Sequence, residues 1–283
     1  NLEDKLSFLS DMNRCWSDHC SQMAMIRSVF LYLDRTYVLQ SHHVKSIWDM
    51  GLALFKEHIV MHEDVLAALL RGLLDQITSE RKGDSVDRSL LKSLLKLFSS
   101  LQIFESHFQP RFLESTSLFY KEEAAHNVHT MEISDFLHLA QKRLEEEVGR
   151  LEHYLDMADR RAIVGTVEQR MLKDHAALLV EKGMSSLLDT EKLADLELLY
   201  ALLGRVSSLP QMKTEFGLYI RKRGQAIVQV PEKDESMVQD LLAFKRYLDS
   251  VLAECFHSDE AFSYSLKEAF EHFINTRQNK PAE

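Results

Sequence analysis

The residue types most able to do chemistry crowd together early, in Cys15-Trp16-Ser17-Asp18-His19-Cys20. Two thiols and an imidazole so close raise the possibility of zinc, which needs four ligands in a tetrahedron, usually drawn from two knuckles. On a helix Cys15 and His19 share a face, whereas Cys20 turns away by ~100°, and no second cysteine pair follows. The cluster therefore reads as two small apolar cysteines on a core helix. Thirteen histidines also create the neighbours Asp18-His19, Asp174-His175 and Glu271-His272. Adjacent residues on a helix diverge, so these are not preformed acid–base dyads. His42-His43 falls in an expected loop. No G-x-S-x-G elbow, phosphate-cradling glycine loop or H-E-x-x-H helix occurs. Glu145-Glu146-Glu147, interleaved with Lys142 and Arg143, reads as a solvated helix face rather than a carboxylate pair. No catalytic residue, metal ligand or cofactor site is predicted.

The elements that would carry such groups are helices. Only 9 Gly and 4 Pro occur in 283 residues, with 45% hydrophobic and 28% charged residues, a composition that favours long helices over tight β-turns. Ile133, Leu137, Ala140, Leu144, Val148, Leu151 and Leu155 recur at intervals of three and four. That stripe predicts one helix ~33 Å long, with Lys142, Arg143 and Glu145 to Glu147 turned mostly outward. A second stripe runs through Val238, Leu241, Leu242, Leu248, Leu252 and Cys255. Shorter amphipathic runs cover 61–81, 86–104, 108–126, 160–181, 193–206 and 260–276. Punctuation agrees: Gly83 ends a helix, and Ser85 or Asp87 caps the next. Ser134 or Asp135 is the expected cap of the long stripe, Asp189-Thr190 opens another helix, and Pro110 sits just inside a helix start. The segment from Ala226 to Pro231 alternates weakly and is expected to be extended. The fold class is all-α. A long helix, a short polar break and a second helix recur roughly every hundred residues, the pattern of stacked helical bundles.

The net charge of −10 argues against direct nucleic-acid binding, and Arg221-Lys222-Arg223 is too short a basic run to reverse that. Three cysteines make no disulfide framework, which fits a reducing compartment. No run approaches the ~18 apolar residues of a membrane span, and the first residues lack the pattern of a signal peptide. The expected location is nucleus and cytoplasm.

Residues 44–59 carry two apolar stripes rather than one. Ile47, Met50, Leu54 and Ile59 form the first; Val44, Trp48, Leu52 and Phe55 form the second, rotated by ~100°. A helix apolar on two sides is buried on two sides, by its own bundle or by a partner. Trp48 is the residue type most typical of binding hot spots.

The strings MIRSVFLYLDRTYVLQ (25–40) and SIWDMGLALF (46–55) resemble the end of the first repeat of cullins, closest to the type-four branch. SERKGDSVDRSLLKSLL (79–95), FLESTSLFYKEEA (112–124), KRLEEEVGRLEHYLD (142–156), VEQRMLKDH (167–175), PEKDESMVQDLLAFK (231–245) and FINTRQNKPAE (273–283) resemble further stretches of that family, in order. The resemblance implies an elongated, α-solenoid-like stalk of five-helix cullin repeats. Residues 1–59 would end the first repeat, 60–181 form the second and 182–283 the third. It implies a non-catalytic scaffold of a ubiquitin ligase. Its N-terminal tip would bind a triple-β-propeller damage-specific DNA-binding adaptor that carries substrate receptors. Residues 44–59 match the fifth helix of the first repeat, which gives Val44, Lys45, Trp48, Asp49, Leu52 and Phe55 as the adaptor-contacting face. The family's second adaptor-contacting helix has no counterpart here, and the RING subunit is expected to bind only a C-terminal domain absent from these residues. The rival readings are an unrelated helical scaffold for tethering or transport, and an enzyme with a scattered site. The last would be compact, with a radius of gyration of ~19 Å, where a stalk exceeds that.

Overall fold

The computed structural model describes residues 2–38, 44–154, 160–228 and 237–275. Among them there is no strand. In order come α1 (Leu2–Val29), the single turn α2 (Leu31–Leu33), α3 (Ile47–Phe55), α4 (Glu63–Arg81), α5 (Arg88–Ser100), α6 (Gln109–Thr130) and α7 (Ile133–Tyr154). Then follow α8 (Arg160–Met171), α9 (Ala176–Asp189), α10 (Leu193–Arg205), α11 (Leu209–Val228), α12 (Met237–Glu254) and α13 (Glu260–Asn275). Short π-helical turns, Asp34–Val38, Lys56–Val60 and Phe104–Phe108, adjoin α2, α3 and α6. The all-α expectation holds. No helix among the described residues is long and apolar enough to cross a membrane.

The chain divides into two compact units, one of residues 1–119 and 147–163, the other of 120–146 and 164–283. The division falls inside α6, α7 and α8. The expected repeat boundary at 181/182 falls inside α9.

In the first unit α1 packs on α3, α4 and α5. Leu9, Met12 and Trp16 of α1 meet a core that includes Leu69, Leu73 and Ile77 of α4 and Leu91, Leu94 and Phe98 of α5. A ladder of rings, Phe98, Phe108 and Phe112, continues it with centroids 5.8 and 5.4 Å apart. Asp87 caps α5 as expected, its carboxylate accepting from the N–H groups of Ser89 and Leu90. The Ser89 hydroxyl, which also donates to it, and then the Leu90 N–H hold its pKa below the usual carboxylate value. Gly83 has φ +98°, the left-handed conformation that a helix-ending glycine supplies.

The same unit contains a buried ionic network. Arg81 donates through Nε and Nη2 to the two carboxylate oxygens of Glu147, at 2.8 and 3.2 Å, and through Nη2 to Thr116 Oγ1 at 2.8 Å. Its guanidinium lies 5.4 and 5.6 Å from the ring centroids of Phe112 and Phe119. Arg150 Nη1 donates to Glu147 Oε1 at 2.8 Å, and Arg150 Nε stands 3.5 Å from Glu80. Tyr154 O–H and Arg88 Nε also donate to Glu80. Burial and then the Glu80 bond push the Tyr154 hydroxyl well above its ordinary pKa. The solvated reading of Glu147 is therefore overturned. It lies three residues after Leu144 and four before Leu151, on the inward stripe of α7, and its side chain has no exposure. Arg143 is also largely covered, paired with Glu123.

In the second unit α9 to α13 pack on one another. Tyr200, Phe216, Phe256 and Phe262 form an aromatic cluster, with Phe256 and Phe262 centroids 4.5 Å apart. On α11, Gly217 and Gly224 face α13, where an added Cβ would meet Ser265 Oγ at 2.8 Å and run into the Phe273 ring. Four local expectations change. Ser134 and Asp135 lie inside the first turn of α7 rather than at its cap. Asp189 ends α9, and α10 begins only at Leu193, after Glu191 at φ 55°. Residues 226–228 are the end of α11, not extended, and Val230 and Pro231 lie outside the described residues, as do Leu155 and His42-His43. On α12, Leu248, Val251 and Leu252 are buried with Cys255, but Val238 and Leu242 are exposed.

Candidate functional site

α3 owes its start to three polar groups. Ser46 is the N-cap: its Oγ accepts from Asp49 N–H at 3.0 Å, satisfying one orphan donor of the first turn, and donates to Asp49 Oδ2 at 2.7 Å. Asp34, from the π turn after α2, accepts from Ile47 N–H at 3.1 Å and from Arg27 Nε at 2.9 Å. The Ile47 bond first, then the Arg27 guanidinium, hold its carboxyl below the usual range. These contacts tie α3 to the end of α1.

The inner face of α3 rests on α1. Phe55 is 2% exposed, with its ring 5.1 Å from Trp16 and 4.7 Å from His19. His19 Nε2 stands 3.1 Å from the Gly51 carbonyl; only a protonated Nε2 can make that bond. Gly51 is buried, and the Met23 side chain occupies the space a Cβ would need. The Cys15–Cys20 cluster is thus a packing face in part: Trp16 and His19 pack on Phe55, while Cys15 is exposed and Cys20 half-buried. Among the described residues no group of three or more His, Cys, Asp or Glu is placed to hold a metal ion. Asp174 engages Arg170 and Gln169. An Asp–His contact that spacing did not signal is His138 Nε2 with Asp195 Oδ1 at 2.9 Å on the second unit's surface.

Of the six residues expected on the α3 contact face, Val44, Lys45 and Asp49 are exposed and Trp48 and Leu52 half-buried. Trp48, Asp49 and Leu52 lie within about 100° of one another around α3, and Val44 and Lys45 precede its Ser46 cap. Phe55 is corrected: it is a core residue, because the inward direction of α3 runs through Gly51 and Phe55. The other stripe is the more open one, with Met50 and Leu54 exposed.

Sequence reasoning missed the apolar end of α1. From Ser21 onward α1 is exposed except for Met23, and the uncovered residues include Met25, Ile26, Val29, Phe30 and Tyr32, with Val29 and Tyr32 78% and 83% exposed. The signal was in the string MIRSVFLYL, apolar on every side of a helix, which demands cover on every side. Apolar patches of this kind mark interaction surfaces.

Fold and surface together define a helical-bundle protein whose distinctive feature is an apolar face on α1 and α3. The chain belongs to the cullin family: residues 1–283 match the model of the Cullin alpha solenoid domain. It is 45% identical to human Cullin-4A over 281 residues, 99% of this chain and 37% of that protein. It is 39% identical to Dictyostelium discoideum Cullin-4, across 99% of this chain and 35% of that protein. With Arabidopsis thaliana Cullin-3A the identity is 32%, across 97% of this chain and 39% of that protein. The chain spans less than two-fifths of the length of these relatives.

Proposed function

We propose that this chain is a stiff, non-catalytic arm of a cullin-RING ubiquitin ligase, and that Val44, Lys45, Trp48, Asp49 and Leu52 bind a triple-β-propeller damage-specific DNA-binding adaptor. The family match over the full chain and the Cullin-4 relatives support the arm and its branch. The observation that carries the binding face is Trp48: half-buried, on a short helix fixed by the Ser46 cap, the Asp34 carboxylate and the Phe55 core. An aromatic held in one place loses little entropy when a partner covers it, which is what makes tryptophan a hot-spot residue.

The mechanism is one of distance. Packed helical bundles resist compression, so an arm built from them holds a bound substrate at a set separation from the ubiquitin-charged enzyme. That raises effective concentration and leaves the chemistry to another subunit. The RING subunit belongs, in this reading, to a C-terminal domain that these residues do not include. A reducing location, nucleus and cytoplasm, fits three unpaired cysteines.

Calorimetry against the purified adaptor tests the reading. Trp48→Ala should cost at least ~2 kcal/mol, about thirtyfold in affinity, while Leu218→Ala, exposed on α11 of the second unit, leaves affinity unchanged. No binding by the wild-type chain, or equal binding by Trp48→Ala, refutes it.

A further inference from the structure

The outer face of α4 presents Glu63, Leu66, Leu70, Arg71 and Leu74 on successive turns, and with Arg111 of α6 they line a groove of about 400 Å³ in the first unit. At 1.5 Å per residue, Glu63 to Leu74 spans ~16 Å. Leu70 is buried and Leu66 and Leu74 are half-buried, so the floor is aliphatic; Arg71 and Arg111 are exposed at its edge. Neither guanidinium makes an ion pair or hydrogen bond among the described residues. Elsewhere Arg27, Arg81, Arg88, Arg143, Arg170 and Arg205 each hold a carboxylate. Arg71 and Arg111 are not alone among the described arginines in lacking an ion pair; what sets them apart is that both stand at the edge of one groove with an aliphatic floor.

We propose that this groove docks an acidic, leucine-bearing helical segment of a partner protein. Aliphatic side chains of such a segment cover Leu66 and Leu74 beside the buried Leu70, while its carboxylates take the forks of Arg71 and Arg111, which suit planar bidentate pairing. Two to three turns of helix match the groove's length, and anchors at i, i+3, i+4 and i+7 are how an amphipathic helix fills an apolar groove. Glu63 fixes direction: it repels acid at the first turn of α4, so the acidic end lies toward Arg71 and the neutral or basic end toward Glu63. A bare anion, or a polyanion without apolar side chains, would leave the leucines unused. This site is separate from α3 and does not depend on the adaptor reading.

The probe is a fluorescent peptide of about twelve residues, with leucine at helical three-and-four spacing and glutamates confined to one half, read by anisotropy at low salt. The expected result is saturable binding that weakens at least tenfold in Arg71→Glu/Arg111→Glu and by smaller steps in Arg71→Gln and Arg111→Gln. A peptide with lysine for glutamate should reverse the preference and bind the double charge-reversed variant better than the wild type. Absence of wild-type binding, or equal binding to wild type and variants, overturns the proposal. Equal binding of a peptide with alanine for leucine, or full displacement by equimolar inorganic phosphate, overturns it in favour of a simple anion site. Both arginines are exposed, so the variants should keep the wild-type helical circular dichroism, and the single glutamine variants decide the matter if the double reversal unfolds.

Discussion

Glu147→Leu should be among the most damaging substitutions outside the aromatic core, and Arg81→Met/Glu147→Leu should be much milder. The buried network balances two cations, Arg81 and Arg150, against two carboxylates, Glu80 and Glu147, with the half-exposed Arg88 closing on Glu80 at 2.6 Å. Glu147 accepts from both buried arginines. Removing it takes from Arg81, whose side chain has no exposure, the carboxylate that receives both its Nε and its Nη2. Deleting one partner of a buried pair costs about 3–5 kcal/mol, because the remaining charge stays desolvated. Deleting Arg81 as well removes that charge, leaves Arg150 with Glu80, and substitutes apolar side chains of similar volume, a change that is often neutral or stabilising. The double variant should therefore recover most of the loss, giving a large favourable coupling in the mutant cycle. Both tryptophans, Trp16 and Trp48, lie in the first unit, so their emission during urea unfolding reports the unit that holds the network. A Glu147→Leu cost under about 1 kcal/mol, or a double variant no better than the sum of its singles, would refute the reasoning.

Three further outcomes follow from packing and ionisation. Gly224→Ala should destabilise the second unit by about 1–3 kcal/mol through overpacking against Phe273, and Gly224→Ala/Phe273→Leu should relieve it; thermal melts decide. Burial, then the charges of Glu254 and Glu197, push the Cys255 thiol up to about 11, so at pH 8 iodoacetamide should label exposed Cys15 long before Cys255, as mapped by mass spectrometry. The depressed pKa of Asp34 stabilises the fold at and above the unfolded-state value of ~3.9 and is lost as pH falls below it. Asp34→Asn should therefore lower stability at pH 7, and the difference from wild type should shrink in acid; urea titrations at both pH values test this.

The sequence by itself determined the class of this protein and most of its helices. Scarce Gly and Pro and three-and-four spacing are local signals of helix; Asp87 and Gly83 marked their boundaries, whereas Ser134, Asp135 and Asp189-Thr190 did not. The collinear strings likewise carried the cullin assignment. What spacing could not do was say which side of a two-sided helix faces in. Stripe periodicity gives angles about an axis but not the direction of the neighbour, so Phe55 was expected on a contact face and lies in the core, while Met50 and Leu54 stand open. Glu147 failed for a related reason. A charged residue on an inward stripe is stable only when its counter-charges arrive from other helices, here Arg81, 66 residues away, and Arg150 on its own next turn. Only the tertiary structure brings Arg81 to that spot, because burial of a charge is settled by partners distant in sequence and not by the residue's own type.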